Sequence, residues 1–503
     1  MLFSGIPFLY YFLPAVLLLY FIAPKCLKNT VLLVSSLFFY AWGEPKIVLI
    51  MIASILVGYV SGLLIEAFRD SKEAFTTENA SLRHKKTAKI VMIFSVIIQL
   101  GCLVYFKYMD FFIENFNNIF GLSIPLLKIA LPVGISFYTF QILSYTVDIY
   151  RGEKAQKNPI NLAMYIAMFP QLIAGPIVRY KDIASQLNVK GGLKLRYCKQ
   201  GNKKFVFDRH ETGRSVSFDD IAQGIRRFVF GLAKKILLAN QLGELCDIFR
   251  ASGDKSVLFY WVYAIAFALH IYFDFSGYSD MAIGLGKIFG FHFMENFNYP
   301  FVSGSVTEFW RRWHISLGSW FRDYVYIPLG GNRVPKWRWF MNIFVVWMLT
   351  GFWHGAAWNF IIWGLFFAVL LVFEKLCFLK VLEKKKILGH IYVVLAVLIS
   401  FVIFNATDMR EAGAYIGGMF GFAKVPVISA ETLYYVRSYG VVLLLSLVGA
   451  TPVMKKLMER LVQKKVCKNI IWILEPIGYV VLMLVMTAYL VDGSFNPFLY
   501  FRF

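Results

Sequence analysis

The sequence predicts an all-α protein that crosses a membrane many times, and three observations carry that expectation. Of 503 residues, 58% are hydrophobic and only 16% charged, against about a quarter charged in an ordinary soluble domain. Apolar runs recur along the whole chain, and about ten to twelve of them approach the ~20 residues that cross a ~30 Å hydrocarbon core as helix. The basic residues collect between those runs. Segments 66–89, 177–218, 375–386 and 455–468 are rich in Lys and Arg, which the positive-inside rule assigns to the cytoplasm.

The first run, "GIPFLYYFLPAVLLLYFIAP", has no Lys or Arg before it and no small-residue cleavage pattern after it, so it is expected to remain as a span rather than leave as a signal. The formal net charge of +22 reads as membrane topology and not as a nucleic-acid surface, because the cations alternate with apolar segments instead of lining one soluble face. Six scattered cysteines with no CxxC pair suggest packing, not a disulfide framework or a zinc site. Residues 1–503 read as a single membrane domain.

Several segments are interrupted. Residues 158–176 carry Pro170, Gly175 and Pro176, the composition of a broken or re-entrant helix, tolerated where protein or water surrounds it. The polar insert 181–218 contains "LKLRYCKQGNKKFVFDRH", two partly alternating runs around Gly201-Asn202, a hairpin signal; a disordered basic loop is the other reading. Ser217 then stands where it can cap a helix opening with Asp219 and Asp220. That helix's Arg226, Arg227, Lys234 and Lys235 are expected to face an anionic inner leaflet. No internal repeat, Walker A loop, GxGxxG after a strand or HExxH is present.

The chemistry-bearing region is central. In "VTEFWRRWHISLGSWFRDYVYIPLGGNR", helical spacing would put Trp310, His314, Leu317 and Phe321 on one apolar face, with Arg311, Arg312 and Arg322 off it, until Gly330 and Gly331 end the helix. His354 lies in an apolar stretch, 340–373, bounded by Arg338 and Lys375. That is short of the ~40 residues that two full spans need. The stretch is therefore expected to enter and return as a hairpin with "GFWHGAA" near its turn, His354 deep or outward and His314 near the inner interface. An ionisable side chain buried in a membrane is costly and marks function by default, although one such histidine alone reads equally well as a neutral packing group. Imidazole is suited to take a hydroxyl proton near neutral pH, and low polarity keeps it unprotonated. His270 in "FALHIYFDFSGYSD" is a weaker candidate, with Asp274 and Asp280 expected to line the same cavity.

The segments "HIYFDFSGYSDMAIGLGKIFGF", "NFNYPFVSGSVTEFWRRWHISLGSWFRDYVYIPLGGNR" and "LTGFWHGAAWNFIIWG" together resemble the membrane-bound O-acyltransferase (MBOAT) family, most closely its bacterial alginate O-acetyltransferase branch. The resemblance implies a ring of tilted, broken helices around a recessed passage. It implies transfer of an acyl group, acetyl first among the choices, from a cytoplasmic thioester to hydroxyls of an exported cell-surface polysaccharide. The family's catalytic histidine carries onto His354, and its second position onto His314. The expected substrate-binding residues are Trp310, Arg311, Arg312, Trp313, Trp353, Asp274 and Asp280, with no metal and no bound cofactor. The donor would be acetyl-CoA or an acyl-carrier thioester, and either would suit the basic faces at Arg226, Arg227, Lys234, Lys235, Arg311 and Arg312. An extracytoplasmic esterase-like partner and a plasma (inner) membrane location follow from the same resemblance.

The tail, residues 496–503, reads "NPFLYFRF". Phe498, Tyr500 and Phe503 resemble the Phe-x-Tyr-x-x-Phe ending of a small membrane partner in teichoic acid D-alanylation, which makes Tyr500 a candidate acyl relay; an aromatic interfacial anchor is the alternative. Two other functions stay open at this point. One is D-alanyl or other acyl transfer to teichoic acid. The other is a polymer or lipid transporter or flippase, in which the histidines would relay protons or gate.

Overall fold

The computed structural model describes residues 1, 3–43, 45–71, 78–191, 193–198, 204–209, 213–493 and 498–499. The protein is an α-helical, multi-pass membrane protein. Among the described residues five helices are long and apolar enough to cross a membrane alone: Val48–Arg69, Leu82–Phe120, Val257–Ile288, Lys386–Asn405 and Val466–Asp492. The bent pair Ala430–Ser438 and Gly440–Gly449 makes a sixth if it is one span. The chain divides into two compact units, Met1–Ile225 with Ala282–Met294, and Arg226–Met281 with Glu295–Phe503.

In the first unit, close helix packing depends on missing side chains. A Cβ at Gly58 would lie 2.7 Å from Ile142 and one at Gly62 only 2.4 Å from Tyr145. Small residues four apart thus let Val48–Arg69 and Ile135–Arg151 approach, as interfaces between membrane helices commonly do. The segment rich in Pro and Gly is broken: Pro159–Ala167 stops at Met168 and a single turn, Phe169–Leu172, follows. Residues 164–180 are buried throughout, so protein covers the freed backbone groups. Strands Leu193–Cys198 and Lys204–Arg209 pair antiparallel, with Leu193 opposite Arg209 and Cys198 opposite Lys204. At the start of the helix Phe218–Ala233, Ser217 Oγ accepts the Asp220 N–H at 3.1 Å while the Asp220 carboxylate accepts the Ser217 N–H at 3.2 Å. The two exchange hydrogen bonds as a capping box does.

The second unit holds helix Val257–Ile288 up to Met281; the apolar window of that helix is 78% buried, whereas that of Val466–Asp492 is only 6% buried. The first is a core element and the second presents an exposed apolar surface. Phe249, Tyr263, Trp313, Trp363, Phe367, Phe401 and Phe404 belong to one buried cluster. The cations of 226–235, which the sequence leads one to expect at an anionic leaflet, are each engaged by a carboxylate of the chain. Arg226 pairs with Glu475 at 2.9 Å, Arg227 and Lys234 both reach Asp280, at 2.9 and 2.6 Å, and Arg227 also bonds Glu295. Lys235 is buried against Asp274 at 2.5 Å. A charge removed from water needs a partner, and here the partners are the chain's own carboxylates.

Candidate active site

His354 is the last residue of helix Lys336–His354; Gly355–Ala357 turn the chain, and Trp358–Phe373 returns beside it. This is the hairpin that the length of the apolar stretch requires. Its two arms nearly touch. A Cβ at Gly351 would lie 2.2 Å from the Phe360 carbonyl oxygen, and one at Gly364 would lie 2.2 Å from that of Trp347. Asn359 donates to the carbonyls of Phe404 and Ala406 at 3.1 and 2.9 Å, fixing the turn to the end of Lys386–Asn405. The His354 imidazole is buried and meets three rings almost edge-on: Trp353, Trp363 and Phe404, with centroids 5.0, 5.1 and 5.2 Å away.

His314 is not on a continuous helix. Val306–Arg312 ends before Trp313, His314 has φ +45°, and Ile315–Phe321 starts a new helix. The expected single helix through Trp310, His314, Leu317 and Phe321 is therefore corrected. Backbone groups that helical bonding would have used are engaged elsewhere: Arg312 O accepts from Asn298 N–H at 2.9 Å, and Ile315 N–H donates to Asn296 O at 3.0 Å. Nothing in "RRWHIS" forbids a helix locally; the incoming 296–298 segment outcompetes it.

That segment also orients the imidazole. Asn296 Oδ1 accepts from Ser316 Oγ at 2.8 Å and from the Ser316 N–H at 3.2 Å, and Asn296 Nδ2 donates to Ser279 Oγ at 3.0 Å. These partners identify which amide atom is the oxygen. His314 Nδ1 lies 3.1 Å from that oxygen, so Nδ1 carries the proton and Nε2 the lone pair. His314 Nε2 is buried with no hydrogen-bond partner among the described residues. Burial holds this imidazole well below its ordinary value, with the neighbouring His354 acting in the same direction. It is neutral, with a lone pair ready to accept a proton.

The two histidines are not far apart, as the sequence suggests, but share a neighbour: Trp353 is 5.8 Å from His314 and 5.0 Å from His354, ring to ring. Phe275, on the core helix, closes the other side of His314 at 4.6 Å. Trp310 touches Trp363 at 5.6 Å and Trp347 at 4.7 Å, and so stands behind the His354 box. The indole N–H groups of Trp310 and Trp363 are buried without a partner among the described residues. Buried polar atoms are nearly always satisfied. Two donors beside the His354 box and one acceptor across Trp353 each suit a small polar group such as a thioester carbonyl or a hydroxyl.

The other expected site residues are placed differently. Trp313 is buried on Phe309, Phe297 and Phe401. Arg311 is exposed, while Arg312 pairs with Glu308 and donates to Asn298 O. His270 is bonded through Nδ1 to Ala239 O at 2.6 Å. Asp280 serves Arg227 and Lys234, and Asp274 serves Lys235. Asp274 has a second role: its other oxygen accepts the Leu499 N–H at 2.8 Å. Phe498 lies under the Lys235 ammonium at 4.6 Å and against Tyr278 at 4.9 Å, and both Phe498 and Leu499 are buried. Tyr500 and Phe503, like 494–497, lie outside the described residues.

Sequence reasoning missed three supporting residues and misread the role of a fourth, Lys235. Asn296 had at most a weak signal, an amide between Glu295 and Phe297 at the start of "NFNYP", just before the histidine segment. Trp363 had one in its position across the turn from His354. Glu374, which accepts the Val306 and Thr307 N–H groups at 2.7 and 2.9 Å and so starts the helix ahead of His314, had none. Neither had Lys235, whose role differs from that of its neighbour Lys234 only through tertiary packing. Among the described residues no group of three His, Cys, Asp or Glu could hold a metal ion.

A family model described as MBOAT, the membrane-bound O-acyltransferase family, matches residues 37–407. The chain is 38% identical to a probable alginate O-acetylase of Azotobacter vinelandii, over 84% of this chain and 78% of that protein. It is 32% identical to a peptidoglycan O-acetyltransferase of Helicobacter pylori, over 84% and 81%. To a teichoic acid D-alanyltransferase of Bacillus subtilis it is 30% identical, over 48% of this chain and 60% of that protein.

Proposed function

Because the chain belongs to the membrane-bound O-acyltransferase family and is thus a membrane O-acyltransferase, we propose that it moves an acetyl group from a cytoplasmic thioester, acetyl-CoA or an acyl-carrier thioester, to hydroxyls of an exported cell-surface polysaccharide, from a position in the plasma (inner) membrane. The observation that carries this is the pair of buried histidines around Trp353, with one imidazole lone pair and two indole N–H groups unengaged by the described residues.

His354 acts as the base. It takes the proton of an attacking hydroxyl while the oxygen bonds to the thioester carbonyl, the carbon–sulfur bond breaks, and the proton passes to the departing thiolate. His314 stands across Trp353 with Nε2 unengaged by the described residues, and the indole N–H groups of Trp310 and Trp363 supply donors for the carbonyl oxygen as it gains charge. Tyr500 is the first acceptor. Its phenol oxygen takes the acetyl group, then gives it up to a glycan hydroxyl in a second transfer of the same kind, completed with an extracytoplasmic esterase-like partner. Support comes from Leu499, the residue before it, which is buried and held by Asp274. Acetyl is preferred to D-alanyl because the acetyltransferases align over 84% of the chain and the D-alanyltransferase over 48%.

The test is the surface glycan of a strain carrying His354→Ala. Esters are expected to disappear, with transfer down by about 10²–10⁴-fold, the usual worth of a general base, while glycan export continues. Loss of the exported glycan itself would instead favour a transporter.

A further inference from the structure

We propose that the first unit carries a binding site for the phosphate headgroup of an anionic phospholipid, unrelated to the histidine pair. The site is a cavity of about 810 Å³ whose lining includes the cations Lys25, Lys28, Lys190 and Arg214 and the apolar side chains Phe21 and Phe218. Among the described residues no carboxylate lines it and none of the four cations is ion-paired with one.

Arg214 is built in. It is buried, its guanidinium lies over the Phe291 ring at 4.1 Å, and it donates to Phe289 O at 3.1 Å and to Asn29. Its charge is therefore held by carbonyl and amide oxygens and is not neutralised. Lys28 stands over the Tyr20 ring at 4.6 Å, and burial, Arg214 and Lys25 together lower its affinity for a proton. Such an arrangement of like charges is self-repelling and improves when an anion enters. A phosphate monoanion or diester is the chemistry that fits.

The surroundings select a lipid over a soluble phosphate. Lys190 and Arg214 belong to the basic insert assigned to the cytoplasmic side, and basic pockets at that face take up lipid headgroups. Phe21 and Phe218 are both exposed, Phe218 at 93%. The helix that leads to the cavity, Leu13–Ile22, turns Leu18, Leu19 and Ile22 outward, exposed by 63, 56 and 74%. A headgroup in the cavity would leave its acyl chains beside that apolar face.

The experiment is native mass spectrometry of the full-length chain in detergent, titrated with phosphatidylglycerol, with phosphatidylcholine, and with phosphatidylglycerol in the presence of coenzyme A. Lys25 and Lys190 are exposed, so the variant Lys25→Gln/Lys190→Gln should fold, which an unchanged melting temperature without lipid checks. Phosphatidylglycerol is expected to bind the unaltered chain more tightly than phosphatidylcholine, and the double variant to lose about tenfold in that affinity, since each cation near an anionic lipid contributes measurably. Equal retention by variant and unaltered chain overturns the site. Displacement of phosphatidylglycerol by coenzyme A overturns the lipid as occupant and assigns the cavity to phosphates of a soluble donor. Should the double variant be destabilised, Phe218→Ser tests the apolar wall alone: the same loss of preference is expected, and full retention counts against the proposal.

Discussion

The backbone N–H of Leu499 donates to Asp274 at 2.8 Å, and the other oxygen of that carboxylate holds the buried Lys235 at 2.5 Å. The next residue on the helix, Phe275, packs on His314 at 4.6 Å. One short stretch of core helix thus ties the chain's end to the neighbourhood of the histidines. It does so with a charge pair that would otherwise be expensive to bury.

Removing one partner leaves the other charge buried and alone, so Asp274→Ala is expected to cost about 3–5 kcal/mol, read as a lower melting temperature. The double variant Asp274→Leu/Lys235→Met replaces the pair with apolar groups of similar size and should recover most of that stability. It does not restore an acceptor for the Leu499 N–H. Acyl transfer by the double variant should therefore stay low, and digestion by carboxypeptidase should reach further into the tail. Wild-type transfer in the stable double variant would show that the anchor has no part in the reaction.

Tyr500→Phe removes one hydroxyl and keeps the aromatic ring. If the phenol oxygen is the relay, transfer to the glycan is abolished and mass spectrometry of the C-terminal peptide loses an acyl adduct that the unaltered protein shows. An aromatic anchor would survive the change, and full activity would retire the relay.

What was legible in the sequence follows from where the information resides. Helices of twenty or more apolar residues announce themselves, and so does the hairpin around His354, because a stretch of that length between two basic flanks can only go in and come back. Capping at Ser217 is equally local. The break at His314 is not, since it is made by Asn296 and Asn298 arriving from outside the helix and taking its backbone partners. For the same reason the shared neighbour Trp353 was invisible: helical spacing places residues on a face, but only packing decides which two faces meet. The cations 226–235 show the converse, a composition that suits headgroups but is paired instead with Asp274, Asp280, Glu295 and Glu475, with only Lys235 fully buried.

Asn296 is a positioning residue, and its variants should separate tautomer control from simple packing. Asn296→Leu removes the acceptor of His314 Nδ1–H and is expected to lower turnover by about 10²-fold through misorientation, with a smaller effect on KM. Asn296→Asp keeps the acceptor but adds a negative charge beside the imidazole. Burial and the nearby His354 hold His314 below its ordinary value, so the active, neutral form persists as pH falls and is lost only at the lowered value. A carboxylate favours the imidazolium by about one unit or more. The acidic limb of the rate profile should move to higher pH by that amount, whereas a purely structural role would leave the limb in place.

The hairpin's close contact can be tested by one methyl group. A Cβ at Gly364 would lie 2.2 Å from the Trp347 carbonyl oxygen, which is backbone and cannot swing aside, so Gly364→Ala must push Trp358–Phe373 away from Lys336–His354. Overpacking of this kind costs about 1–3 kcal/mol. It would also displace Trp363, the ring that faces both His354 and Trp310, by a distance that matters to a reacting geometry. The expected outcome is a melting temperature lowered by a few degrees and a fall in turnover much larger than that loss of stability explains. Gly417→Ala is the control: it lies in the same unit, where the nearest side chain is a comfortable 3.8 Å away, and should leave both quantities unchanged. If Gly364→Ala retains full turnover, His354 does not depend on the contact between the two arms.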